Sequence, residues 1–535
     1  MQLIKKLFSA AVLFVLPLWL SAQEDLPKDY LPKEFHASRR EALRKIMPPN
    51  SVAVVFSFPE RNYSNDVNYP FHQNPDLYYL SGYNEPNSVL VVYKENQKNA
   101  QGQSFNELFF VQKRNAAAEQ WTGRRLGVEG VKEKLGFSQV FNGEDFSKYP
   151  FNFSGFDHIL FSELPTDVRD SRDGADLFDL LANFKKAAGI TDDYDPMLGR
   201  MTENVKNMVP ANFERMKRAY AGMVNNNEKY KNSVLNDFIA LKDSSELKAF
   251  QARIPMPKYQ DASRLLAALR EVKTPEEIAM VKKAVRISGA GQVEVMKAIN
   301  PGMSETEIQG LHEYIHKKYG AEGVGYPSIV GAAGNGCILH YIENNRTKVG
   351  NNLVLMDVGA EYHGYTADIT RTIPSNGKFT AEQKAIYDIV YDAQEAVFQL
   401  CKEGTPFQAL NMKSREVLAA GLMKLGIIQK EEDVRLYYPH GVSHHLGLDV
   451  HDANTGGTLR QNMILTVEPG IYIPENSPCD KKWWGIAVRI EDDVVIGKEK
   501  GDVISAHIPR KAADVEQMVA KKSALDNLVL PALDK

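Results

Sequence analysis

Four carboxylates set into the apolar, strand-like runs of its second half constrain this chain more than any other feature. Asp357 stands in Leu353–Val358, a run with no other polar residue. Asp368 lies eleven residues further on, in segment 366–372, and the stretch 359–364 between them has the glycines of a tight connection. A hairpin there brings the two aspartates side by side. Glu468 ends another apolar run, just before Pro469 and Gly470. In segment 487–492, strand alternation puts Arg489 and Glu491 on one face and Val488, Ile490 and Asp492 on the other. A single buried Asp is ordinarily a cap or an ion-pair partner. Two on neighbouring strands repel each other unless a cation lies between them.

The histidines point the same way. Four of the chain's 12 histidines, His440, His444, His445 and His451, fall within segment 440–452. Any one of them reads as a hydrogen-bonded structural residue. A cluster this dense, with Gly441 and Gly447 allowing close backbone approach, reads as a site. Four carboxylates balance two divalent cations and leave one neutral His as a further donor. That hard, oxygen-rich set suits Mn²⁺ better than a closed thiolate–imidazole zinc site. A pair of divalent ions lowers the pKa of a shared water, which makes the expected chemistry hydrolytic.

Composition removes the competing classes. The chain is 43% hydrophobic, 25% charged and 10% aromatic, which is ordinary globular usage and excludes a disordered or fibrous protein. A net charge of −4 with no basic block excludes a nucleic-acid footprint. Three cysteines, Cys337, Cys401 and Cys479, cannot form a disulfide framework. Residues 1–22 have the three parts of a secretory signal peptide: Lys5 and Lys6, an apolar run over 7–20, and small residues ending at Ala22. The run is too short for a spanning helix, so the expectation is an exported protein, periplasmic or secreted, with no membrane anchor after cleavage.

The texture changes near residue 265. Between about 50 and 240, apolar runs such as 52–58, 88–93 and 107–112 alternate with turn-like clusters, as in an α/β domain. After 265, helix-start signals recur at Thr274-Pro275-Glu276-Glu277, Ser304-Glu305-Thr306-Glu307 and Thr380-Ala381-Glu382-Gln383. Capped helices interleaved with the strand-like runs 353–358, 365–372, 463–467 and 487–496 predict an α+β fold. The expected organisation is signal peptide 1–22, amino-terminal domain 23–265, catalytic domain 266–520 and tail 521–535.

These residues carry a resemblance. The blocks Asn335–His340–Tyr341, Asp357…Asp368-Ile369-Thr370-Arg371-Thr372, His440…His451-Asp452, Thr466-Val467-Glu468-Pro469-Gly470 and Arg489-Ile490-Glu491-Asp492 resemble the pita-bread metallopeptidases, most closely the Xaa-Pro aminopeptidase (aminopeptidase P) group. Segments 74–82 and 121–127 are similar to that group's creatinase/prolidase-like α/β amino-terminal domain. The resemblance implies two divalent metal ions held by Asp357, Asp368, His444, Glu468 and Glu491, with Asp368 and Glu491 bridging. It implies that Glu468 exchanges protons at the site and that His340, His440 and His451 hold the scissile carbonyl and line a proline pocket. Tyr326 and Arg489 match positions beside the first aspartate. Trp121 matches a residue that closes a neighbouring subunit's site, so a homodimer or homotetramer is implied, with proline-containing peptides as substrates.

Other motifs read as structural. The glycine-rich 331–336 lacks the strand–helix context of a nucleotide loop. Ser443 has no nucleophile elbow around it. Cys337 reads as packing, and His363 and His445 as structural or exposed. The alternatives are a prolidase restricted to Xaa-Pro dipeptides, a methionine aminopeptidase, and a non-catalytic peptide-binding module of the same fold. Ser443 and segment 510–518 favour the aminopeptidase.

Overall fold

A computed structural model describes residues 27–527. The signal peptide expected at 1–22 and the end of the tail, 528–535, lie outside the described residues. The fold is α+β. Its amino-terminal unit is a six-stranded sheet built from Ser51–Phe56 (β1), Val89–Lys98 (β2), Ser104–Val111 (β3), Val140–Asn142 (β4), His158–Phe161 (β5) and Tyr259–Asp261 (β6), in the order β4-β3-β2-β1-β5-β6. The β1–β2 and β2–β3 pairs are antiparallel, and the β1–β5, β5–β6 and β3–β4 pairs are parallel.

Alternation assigns the faces of this sheet. Ala53, Val55, Leu90, Val92 and Phe109 belong to an apolar core that continues into the carboxy-terminal unit. Val52, Val54, Val91, Leu108 and Phe110 face a second core closed by the helix Leu177–Ala188. Between β5 and β6 the chain inserts the helices Pro196–Lys206, Phe213–Asn226, Val234–Ala240 and Leu247–Arg253, which enclose an apolar cluster of their own around Phe213, Val224, Leu235 and Phe238. The polar, Asn-rich segment 205–236 lies within this insert.

The helix Ser263–Arg270 runs across the boundary expected at 265, and the chain enters the second unit through 271–274. The cap signals behave as the chemistry predicts at two of three places. Thr274 with Glu277 and Thr380 with Gln383 form complete capping boxes on the helices Pro275–Ala298 and Ala381–Phe398. At Ser304 only half the box forms: its side chain accepts the Glu307 N–H.

The strands of the second unit that frame the site are Ile329–Ala332 (β7), Leu353–Val358 (β8), Ala360–Tyr362 (β9), Tyr365–Thr366 (β10), Ile369–Pro374 (β11), Ile464–Val467 (β12), Gly470–Ile473 (β13), Ile486–Arg489 (β14) and Asp492–Val495 (β15). They form short antiparallel sheets, β7-β8-β11, β12-β15 and β13-β14, against which the long helices pack. Two runs read as continuous strands are broken. Segment 365–372 breaks at Ala367 and Asp368, and segment 487–496 breaks at Ile490 and Glu491.

Candidate metal centre and peptide cavity

The site begins with the β8–β11 pair. Asp357 lies opposite Thr370, and the short β9–β10 ribbon that joins the strands turns at His363 and Gly364, both at positive φ. At the base of this ribbon Gly359 packs on the backbone of Ala367. A Cβ there would lie 1.9 Å from the Ala367 carbonyl oxygen, so only glycine allows the closure that brings Asp357 and Asp368 together. Tyr326 OH lies 2.5 Å from an oxygen of Asp357 and 2.6 Å from one of Asp368.

The other donors enter where strands stop. Glu468 follows β12, and its N–H donates to the Val442 carbonyl at 2.8 Å. Glu491 lies between β14 and β15. Its N–H donates to the Thr370 carbonyl at 3.1 Å, and its carboxylate accepts from Thr370 Oγ1 at 2.6 Å. His444 is tied to β12, donating its N–H to Thr466 Oγ1 at 3.1 Å. Its Nδ1 lies 3.1 Å from the His445 carbonyl, which can only accept, so Nδ1 carries the hydrogen. Nε2 then turns to Asp368 at 3.4 Å and Glu468 at 3.5 Å.

That arrangement requires positive charge. A neutral imidazole would aim a lone pair at two carboxylates, and one donor atom each of Asp368, His444 and Glu491 lie within 4.8 Å of one another. Without a metal the groups respond by holding protons. Hydrogen bonding to Asp368 and the charges of Glu468 and Asp368 outweigh burial and raise His444 to about 9. Burial and the neighbouring aspartates raise Glu468 to about 7. Burial and the other three carboxylates hold Glu491 far above its ordinary value, and burial with Asp357 raises Asp368. Asp357 alone is lowered: burial opposes its charge, but Arg489 and the Tyr326 hydroxyl prevail. The donor set fits divalent cations, which would supply the charge these protons replace.

Arg489 is the guanidinium of the cluster. It is 4% exposed, with Nη2 on Asp357, Nη1 donating to Tyr472 OH at 2.9 Å and Nε donating to Thr370 Oγ1 at 3.1 Å. The Tyr472 hydroxyl lies 2.8 Å from His440 Nε2, and His440 Nδ1 donates to the Gly441 carbonyl at 2.7 Å. Both ring nitrogens are thereby used by a neutral imidazole, and burial with Arg489's charge lowers His440 to about 4.

These groups open onto a cavity of about 640 Å³. It is lined by His340, His440, His444, His451, Tyr326, Arg489 and the four carboxylates, with Pro327, Ile329, Leu339, Ile342 and Val450 as an apolar wall. The His451 ring lies 4.3 Å from that of His444. Ten of the eleven residues expected from the sequence therefore converge. Trp121 does not line the cavity: it lies on the short helix Ala116–Thr122 and is 88% exposed. His363 and His445 are buried structural residues. His363 bonds Glu322 and Asp29, and His445 stacks on Phe407. Cys337 is half-buried, and burial raises its thiol to about 11. The sequence reading missed Tyr472 and Thr370. Thr370 stands two residues from Asp368, inside a block that carries the resemblance, and that placement was its signal.

Known proteins resemble this chain over most of its length. Residues 279–498 match the model of metallopeptidase family M24, and residues 36–154 match that of the aminopeptidase P N-terminal domain. A curated Xaa-Pro aminopeptidase from Escherichia coli is 32% identical over 494 residues, covering 90% of this chain and 96% of the relative. Escherichia coli aminopeptidase P with the inhibitor Pro-Leu superposes with a TM-score of 0.71 at 29% identity, over 92% of this chain and 98% of that one. A Zn-substituted form of that enzyme in complex with product gives 0.71 at 30% identity, with the same coverage.

Proposed function

The chain belongs to metallopeptidase family M24, with the aminopeptidase P N-terminal domain ahead of its peptidase domain, and from that premise we infer that it is an exported two-metal aminopeptidase that removes the first residue from peptides with proline second. The observation that carries this reading is the meeting of four carboxylates and His444 beneath a cavity that also holds three histidines and an apolar wall. Asp357, Asp368, His444, Glu468 and Glu491 would hold the ions. When bound, two divalent cations, for which the oxygen-rich donors favour Mn²⁺, supply Lewis acidity and an activated water.

The remaining work belongs to side chains. An Xaa-Pro bond has a tertiary nitrogen and no N–H, so recognition must run through carbonyl oxygens and the ring. His340 and His451 stand in the cavity as donors to those oxygens, and charge on the scissile oxygen is greatest in the transition state. His440, kept neutral, offers a ring face to the proline alongside Ile329 and Leu339. Glu468, beside the attacking water in this reading, would take its proton and return it to the departing proline nitrogen. Tyr326 and Arg489 fix Asp357 and keep it ionised.

The native assembly in this reading is a homodimer or homotetramer in which a partner's Trp121 covers a peptide residue beyond the proline. No helix among the described residues is long and apolar enough to cross a membrane. The test is a panel of Xaa-Pro-Yaa, Xaa-Pro and Xaa-Ala-Yaa peptides with added Mn²⁺ and with a chelator. Metal-dependent cleavage of Xaa-Pro-Yaa above the other two is expected. A preference for the dipeptide would reassign the chain to a prolidase, and absence of any metal-dependent cleavage would leave a binding module. The mass of the mature chain from envelope extracts tests export.

A further inference from the structure

His451 makes no side-chain hydrogen bond among the described residues, so apart from an edge contact with the His444 ring its imidazole is aimed by its backbone. The next residue, Asp452, is 3% exposed and has both oxygens engaged: Oδ1 by Arg270 Nη2, and Oδ2 by Lys273 Nζ at 2.7 Å. Arg270 is 5% exposed, and its other arm reaches out of the catalytic unit. Nη1 donates at 2.6 Å to Asp76 in the helix Pro75–Ser81 of the amino-terminal unit. Two acids and two bases therefore form a neutral chain, buried except at the partly exposed Asp76, from one unit to the residue beside His451.

The backbone around Asp452 is clamped as well. Its N–H donates to the His445 carbonyl at 2.9 Å, closing the loop that starts at His444. Gly447 is packed so tightly on the carboxylate that a Cβ there would lie 2.3 Å from Oδ2. Lys273 N–H donates to the Asn462 carbonyl at 3.0 Å, and Glu271 accepts from Thr455 N–H at 2.9 Å and Oγ1 at 2.8 Å. The segment 270–273 that joins the two units thus grips the His451 loop at several points.

We propose that Asp76, Arg270 and Asp452 are positioning residues, a strut through which the amino-terminal unit sets the place of the His451 imidazole over the peptide. The proposal rests on the reading of His451 as a group that faces the peptide. A buried ion-pair chain contributes little net stability relative to apolar packing of the same volume, but it fixes geometry, because every member must be met by its partner. Arg270 is suited to this role by its planar fork, which contacts two carboxylates at once.

The experiment is a double-mutant cycle on the Mn²⁺-saturated enzyme, with kcat and KM for an Xaa-Pro-Yaa tripeptide, bound metal and Tm measured throughout. Asp76→Asn weakens the strut at its outer end and leaves the Arg270–Asp452 contact in place. We expect kcat to fall about tenfold, with KM within about twofold and metal content unchanged, and we expect no further fall when Asp76→Asn is added to His451→Ala. If Asp76→Asn does not fold, Arg270→Lys, which keeps the charge and loses the fork, replaces it with the same expectation. Equal losses of kcat in both backgrounds, a loss of bound metal, or a lowered Tm with kcat intact would each overturn the proposal. If His451→Ala itself leaves kcat unchanged, the reading of His451 has failed, and the strut's catalytic role falls with it.

Discussion

Replacing Arg489 by Met tests the electrostatics of the metal centre most directly. The substitution keeps an apolar stem and removes the guanidinium that bonds Asp357, Tyr472 and Thr370. Asp357 is then left, among these partners, with the Tyr326 hydroxyl at 2.5 Å. Removing one partner of a buried pair costs about 3–5 kcal/mol, because the remaining charge is neither solvated nor neutralised. The sign with pH follows from Asp357. In the parent its folded pKa is depressed, so the pair's stabilisation is present above the unfolded value of about 3.9 and is lost only as pH falls through the lower folded one. Without Arg489, burial raises that carboxyl, and the penalty is relieved as pH falls. The metal-free variant should therefore unfold about 3–5 kcal/mol more easily than the metal-free parent at pH 7.5, with the gap narrowing toward pH 5. Added Mn²⁺ should shrink the gap at pH 7.5, since cations supply the missing charge. Urea unfolding with chelator and with Mn²⁺ reads all three quantities. A metal-free gap under about 1 kcal/mol, or one that does not change with pH, would refute the assignment of Arg489 as the counter-charge of Asp357.

Asp368→Asn should fold but lose at least one bound metal and nearly all activity, measured by elemental analysis and peptide turnover. Near-normal turnover in the folded variant would remove Asp368 from the ligand set. Chelated parent enzyme should lose stability as pH rises: Glu468 is raised to about 7, so its contribution is present below its unfolded value of about 4.3 and is lost as pH climbs through 7. Metal binding, which needs the same groups deprotonated, should tighten over that interval, and melting curves with and without chelator at several pH values decide the point. Trp121→Ala should narrow the preference for Xaa-Pro-Yaa over Xaa-Pro in kcat/KM, and an unchanged ratio would remove the contact across subunits.

Much of the centre was legible because its chemistry contradicts its surroundings. A carboxylate set in an apolar run of sequence is a costly anomaly, and Asp357, Asp368, Glu468 and Glu491 are four such anomalies. Alternation correctly sent Arg489 and Glu491 toward one cavity. What could not be read is where those strands stop: the ladder breaks at Asp368 and at Glu491, because a residue that must turn its oxygens into a shared site gives up regular pairing there. Partners remote in sequence were invisible for another reason. Nothing periodic joins Asp76 to Arg270 to Asp452, or Tyr472 to His440, so no local pattern announces them. Glu305 shows the same limit. It looked like part of a helix start, yet its carboxylate is buried and accepts from Ala332 N–H, Asn335, Tyr341 and Arg346 N–H, organising the loop that carries His340. The helical insert was obscured because its polar, Asn-rich surface hides a small apolar centre.

That insert bears on how the chain finds its fold. Strand β6 lies parallel to β5 in the finished sheet, but the whole stretch 162–258 separates them. Closing so long a flexible loop carries an entropic cost that grows with its length, and pairings distant in sequence slow folding. The helices between Pro196 and Arg253 are short, consecutive and packed on their own cluster, so they can condense from neighbouring residues alone. Once condensed they hold the two ends of the insert near each other and replace a long random tether with a short rigid one. The last strand of the amino-terminal sheet then arrives by docking, and the chain continues through Arg270 into the unit that holds the four clustered carboxylates.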